Sequence, residues 1–289
     1  MINWNRADFV ARAARAVYAS RPADAEFLVW DNGSRIPELP PIYESLEADG
    51  IEVFRHDKND GLDPTQNLIL ERFFADPECD MVFMLEDGCL VMPWTIAEMR
   101  KVLQEGKLPP REEFEREPIG IVGCSLTSGP ECQVFAYLPQ DWLDPMLNEP
   151  DDGSPWNGAA LASWTQHPTE LWRTIEAPDP FLWGLTRKTW ETVGKIDEAF
   201  WMGWGTNNDY CYRARLAGIH AATAWNGFAI TWDRHVPRPW AEKNPEYRNS
   251  WMGRGIRRMA QKHGGPEAVA DVGWLLCQSN YREYTKECD

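Results

Sequence analysis

Chemistry in this chain concentrates in a few short polar clusters. Asp31-Asn32-Gly33-Ser34 follows the apolar run Glu26 to Trp30, and Glu86-Asp87-Gly88 follows the apolar run 80–85. Adjacent carboxylates repel each other, so Glu86 and Asp87 are best satisfied by a cation or by hydroxyl groups. An Asp in a turn can instead bond its own backbone, and both roles stay open for Asp31. Asn207 and Asp209 open a helical stretch. There they can cap free N–H groups, or a carboxylate can take a proton from a hydroxyl. Just ahead lie Trp201 and Trp204 on a Gly-containing loop, whose indole faces suit a sugar ring, a base or a hydrophobic plug. Arg234, His235, Arg238 and Lys243 gather positive charge, which a departing anionic group requires.

The elements that must position these groups alternate. Residues 5–19 read as an amphipathic helix with Phe9, Ala13, Ala16 and Val17 on one face. Strands are expected at Glu26 to Trp30, 51–55, 80–85 and Ile119 to Gly123, with helices at 65–75 and 94–104. Thr65 or Asn67 could cap the helix at 65–75. Such alternation predicts an α/β sheet with a parallel core, and ligands bind beyond the carboxyl ends of its strands. Both acidic turns fall on that rim. Residues 139–180 are rich in Pro, Asp, Asn, Gly and Trp and read as an insertion or lid. A helix stopping at Gly194, a turn at Asp197-Glu198, a helix at 208–217 and strands around 220–232 follow. From about 241 the chain reads as a helical extension with a basic cluster of Arg254, Arg257, Arg258, Lys262 and His263.

With these residues in view, the chain resembles the GT-A glycosyltransferases, in particular family 2. Four segments are similar in order and spacing: LVWDNGS at 28–34; Asn59-x-Gly61 with Asn67; MLEDGCLVMP at 84–93; and TRKTWETVGKIDEAF through NNDYCYRARLAG at 186–218. The resemblance implies a Rossmann-like, mixed and mostly parallel sheet over residues 1–240, flanked by helices, with 241–289 as the helical extension. It implies an inverting transfer of a sugar from a nucleoside-diphosphate sugar, a UDP-sugar first, to a hydroxyl acceptor. In that reading Asp31, Asn32, Ser34, Asn59, Asn67 and Asp87 hold the donor nucleotide. Trp183, Trp201 and Trp204 contact sugar or acceptor, and Arg234 and Arg238 face the diphosphate. Glu86, Asp87 and His235 would hold a divalent cation, Mn or Mg.

The chain departs from the family at three places. Met1-Ile2-Asn3 stands where the family's first strand is ending, so either the sheet edge is short or the sequence begins late within that strand. Gly88 occupies the position of the family's metal-binding Asp. Thr206 and Asn207 occupy the positions of its Glu-Asp pair, which includes the catalytic base, so Asp209 is the remaining candidate base. These departures raise an alternative, a nucleotide-sugar-binding protein of the same fold without catalysis. A second alternative, a transferase acting on hydroxymethylated bases in DNA, is suggested by the basic tail and by sixteen Trp.

Composition narrows the field. The chain has 289 residues, 43% hydrophobic and 26% charged, ample for a sizeable core. A net charge of −16 repels polyanions and argues against nucleic acid as the principal partner. No apolar run approaches the roughly 18 residues of a membrane span. The start, MINWNRADF, has no apolar signal core, and the seven cysteines contain no CxxC pair. Reduced thiols and a cytoplasmic location are the expectation.

Overall fold

A computed structural model describes residues 1–106, 118–126, 154, 172–175, 177–178, 181–200, 205–231, 255 and 257–264. The first strand, β1, is only Ile2–Asn3, yet it is inserted between two neighbours. It pairs in parallel with β2 (Leu28–Asp31), and Ile2 forms a parallel bridge to Glu86, just past β4 (Met81–Leu85). β2 pairs in parallel with β3 (Glu52–Arg55). Beyond β4 the order runs through β8 (Leu182–Thr186), β6 (Ile119–Leu126) and β9 (His220–Thr231). Two short strands, β5 (Cys89–Val91) and β7 (Trp172–Ile175), line successive stretches of the far edge of β9.

The fold class is α/β, as the resemblance implies, but its parallel character is concentrated. The sheet of β1, β2 and β3 is wholly parallel, as is the β6–β9 pair. The remaining pairings, β4–β8, β6–β8, β5–β9 and β7–β9, are antiparallel. Part of the 139–180 segment is sheet: β7 lies within it and pairs with β9.

Helices cover both faces. On one side α1 (Val10–Ser20), α2 (Leu39–Ala48) and α4 (Thr95–Glu105) bury Ala13, Val17, Leu46 and Met99 against Val29, Leu90, Val122 and Ala222. On the other, α3 (Leu62–Phe74), α5 (Arg187–Val193) and α6 (Thr206–Leu216) cover Trp30, Met84, Trp183 and Ile121. The alternation along β1 and β2 follows the two-residue period of a strand: Val29 faces α1 and α2, while Leu28 and Trp30 face α3. Residues 257–263 form a further helical stretch, α7. α6 leads directly into β9, which runs parallel to β6, so the N-terminus of α6 lies at the carboxyl rim of the sheet.

Candidate functional site

The rim is organised around the tip of β1. Asn3 lies in register with Asp31. The Trp4 N–H donates to Asp87 Oδ2 at 3.1 Å, and the Asn5 N–H donates to Ser34 Oγ at 2.8 Å. The Arg35 N–H returns a bond to Asn5 Oδ1 at 2.9 Å. Residues 3–5 thus tie the two acidic turns together. Asn5 has φ +55°, an uncommon left-handed conformation for a residue with a side chain. Bonds at both its amide and its side chain hold it there. The indole beside this kink, Trp4, is 50% exposed. It is the exposed aromatic between Asp87 and the 31–34 turn, and the residue patterns did not flag it. The available signal was an aromatic one residue beyond a strand end, directly before a polar turn.

Asp31 is almost buried. It accepts the Ser34 N–H at 3.2 Å, the Asx turn expected of an Asp in this position, and it lies within hydrogen-bonding reach of the Tyr43 hydroxyl. Burial, reinforced by the Asp31 charge and opposed by the Asn3 amide at 2.6 Å, pushes the Tyr43 phenol above its ordinary range. Asn32 is also buried and links three segments. Its Nδ2 donates to Asn59 Oδ1 at 3.0 Å and to the Gly61 carbonyl at 3.2 Å. Its Oδ1 accepts from the Thr65 hydroxyl at 2.9 Å. Gly33 crosses so close to residue 58 that an added Cβ would lie 2.3 Å from the Lys58 carbonyl carbon, and its φ is +71°. The DNGS turn is therefore docked onto the 58–61 loop by shape as well as by hydrogen bonds.

Asn67 is buried and bonds to a distant segment of the chain. α3 begins at Leu62 after Gly61 with no side-chain cap. Asn67, one turn inside, donates to the Ile196 carbonyl at 3.0 Å and to Glu198 Oε1 at 2.9 Å, and accepts the Ile196 N–H at 2.9 Å. It clasps the turn between α5 and α6 to the underside of α3.

Asp209 is also drawn away from solvent. It is fully buried inside α6, whose N-cap is Gly205. Its carboxylate contacts Arg213 Nε at 2.9 Å, Lys262 Nζ at 2.8 Å and His263 Nε2 at 2.8 Å. Lys262 also meets Asp197 at 2.8 Å, as does Arg258 at 2.9 Å. Burial opposes ionisation of Asp197, but bonds from Lys262, the Ala199 N–H and Arg258 outweigh it and hold its carboxyl at about 2. This ion cluster fastens α7 to α6. Three of the five basic tail residues thus face inward onto carboxylates instead of presenting charge to a polyanion. Asp209 is 0% exposed, so its carboxylate faces these side chains and not the open rim.

Asn207 is half-buried, and its amide donates to the Pro178 carbonyl. Trp183 is fully buried, its ring edge-on to Tyr210 with centroids 5.6 Å apart. Its N–H has no hydrogen-bond partner among the described residues. Trp201, Trp204, Arg234, His235 and Arg238 lie outside the described residues. Among the described residues, no three His, Cys, Asp or Glu side chains converge as a metal-holding group. Glu86 and Asp87 lie at the rim, while His235, named with them as a cation ligand, lies outside the described residues.

No protein-family model matches the chain, and no curated protein matches it. Among solved structures, the crystal structure of GalNAc-T7 with UDP, GalNAc and Mn2+ is similar at a TM-score of 0.49 and 13% identity. The match covers 75% of this chain and 39% of that one, so the chain spans well under half the length of that protein. Among the described residues, no helix is long and apolar enough to cross a membrane.

Proposed function

We propose that the chain is a glycosyltransferase that takes a nucleoside-diphosphate sugar, a UDP-sugar first, as donor. One observation carries the reading. The two acidic turns, 31–34 and 86–88, close on the same strand tip, with Asn3 in register with Asp31 and the Trp4 N–H on Asp87. Ligands in α/β sheets bind at this rim. The exposed Trp4 supplies a stacking face for a base, and Asp87 an acceptor for ribose hydroxyls. Asp31, Asn32 and Asn59 shape the turn beneath. The four sequence segments similar to family 2 of the GT-A glycosyltransferases lie at this rim or on the elements that frame it.

Replacement of the family's acidic residues by Gly88, Thr206 and Asn207 favours a second reading, a nucleotide-sugar-binding protein without turnover. A thermal-shift panel of UDP-, GDP-, dTDP- and CMP-sugars, with and without manganese, tests the site. A ligand at 100 times its Kd raises stability by about 2.7 kcal/mol. Donor hydrolysis without acceptor then separates transferase from binder. A panel in which no nucleotide sugar moves the melting temperature refutes both.

A further inference from the structure

We propose that Arg35 reads the donor's base and selects one that carries a carbonyl at its far edge, uracil first, over one that carries an amine. The inference rests on the nucleotide-sugar reading and names the part of the donor that the chain tells apart. Arg35 follows directly on the 31–34 turn. Its backbone N–H donates to Asn5 Oδ1 at 2.9 Å, so the root of its side chain is anchored beside the residue that follows the exposed Trp4. Arg35 is itself exposed, and its guanidinium has no hydrogen-bond or ion-pair partner among the described residues.

That sets Arg35 apart from its neighbours. The other basic side chains of residues 1–8, 31–35 and 55–61 are committed to carboxylates: Arg6 to Asp8 at 3.0 Å, Arg55 to Glu47 at 2.9 Å, and His56 and Lys58 to Asp60 at 2.6 and 2.7 Å. In a chain of net charge −16, a guanidinium without a carboxylate at the rim is available to a ligand. The carboxylate of the same turn is not. Asp31 is 6% exposed, accepts the Ser34 N–H and faces the Tyr43 hydroxyl. A base in this site is therefore read through its acceptors and not through an N–H given to Asp31.

The arrangement of the rim selects which acceptor is read. The Trp4 N–H bonds Asp87 on one side, while Asn5, the next residue, bonds Ser34 and Arg35 on the other. A base stacked on the indole with its ribose hydroxyls on Asp87 turns the edge remote from the glycosidic bond toward Arg35. In uracil and guanine that edge carries a carbonyl oxygen, O4 or O6; in cytosine and adenine it carries an amino group. A guanidinium has only N–H donors and no acceptor. It donates to the carbonyl and meets the amine donor against donor. Stacking does not make this distinction, because every base offers a π-face.

The test is calorimetric titration of the full chain with UDP, CDP, GDP and ADP in one manganese-containing buffer. UDP and CDP differ only at C4 and in the proton on N3. UDP should bind roughly tenfold or more tightly than CDP, or GDP than ADP, the worth of one hydrogen bond from a charged donor. Whichever of UDP and GDP is tighter names the base. Arg35→Met and Arg35→Ala remove the guanidinium and leave the backbone bond to Asn5 in place, and each should reduce the preference to about threefold or less. A preference under about tenfold on both pairs in the wild type overturns the proposal. So does a preference that keeps its full size in either variant, and so does an equal loss of all four nucleotides, which would make Arg35 structural. A wild type that binds none of the four refutes the nucleotide-sugar reading itself, whereas nucleotides bound without this preference leave that reading standing and refute this one.

Discussion

Asn in place of Asp209 separates two roles that the same residue could fill. A solvent-facing base would lose turnover on this change with little effect on stability. The structure gives Asp209 no exposure and three partners, the cations Arg213 and Lys262 and the imidazole of His263, at 2.8–2.9 Å. Neutralising it leaves those partners facing an amide. Removing one member of a buried charge cluster costs about 3–5 kcal/mol, because the remaining charges lose their compensation. At about 2–4 °C per kcal/mol for a larger domain, Asp209→Asn should lower the melting temperature by roughly 6–20 °C. Lys262→Met removes one cation and leaves Asp209 two partners, so its loss should be smaller, about 1–3 kcal/mol. Urea unfolding of the wild type and both variants supplies the comparison, and protease cleavage within 257–263 reports release of α7. If Asp209→Asn unfolds within about 1 kcal/mol of wild type, the ion cluster does not hold α7 to α6.

Other outcomes follow from the same geometry. Because the Asp197 carboxyl sits at about 2 in the folded chain against an ordinary 3.8, its contribution is present above about pH 4 and is lost as pH falls toward 2; at most roughly 2 kcal/mol is at stake, and urea unfolding across that range should lose this slope in Asp197→Asn. Trp4→Ala removes a half-exposed ring and should change stability by less than about 1 kcal/mol, while weakening UDP binding by about 1–3 kcal/mol, the worth of one base–aromatic stack; calorimetric titration with UDP decides it, and unchanged affinity removes Trp4 from the nucleotide site. Gly33→Ala places a Cβ 2.3 Å from the Lys58 carbonyl carbon and demands φ +71° of an alanine; the 31–34 and 58–61 loops must part, so stability should drop by more than about 1 kcal/mol and UDP affinity with it, both absent if the loops are not packed as described.

Much of the architecture was legible in the order of residues. Apolar runs, helical spacing and turn or cap residues located α1, α3, α4 and α6 and the strands β2, β3, β4 and β6, because those signals are local. α2 escaped because Pro40 and Pro41 look like helix breakers, whereas in a first turn their missing N–H groups cost nothing. β5 and β7 escaped because three- and four-residue strands are held by their neighbour β9 and carry little pattern of their own.

At the rim the division is sharper. The residue order alone determined that two acidic turns follow two apolar strands, and hence that each lies at the carboxyl end of a strand; the bridge from Ile2 to Glu86 is what brings the two ends together. Which side chains stay open at the rim was decided by contacts between residues far apart in the chain. Asn67 went to the Ile196 turn, 129 residues away, and Asp209 to Lys262 and His263, 53 and 54 away. Trp4 was left in the open by a kink that Ser34 and Arg35 stabilise. A strand pattern records only whether a residue is turned toward the core. Whether a buried carboxylate finds a cation or a substrate depends on what the fold packs against it, and local sequence carries no trace of that.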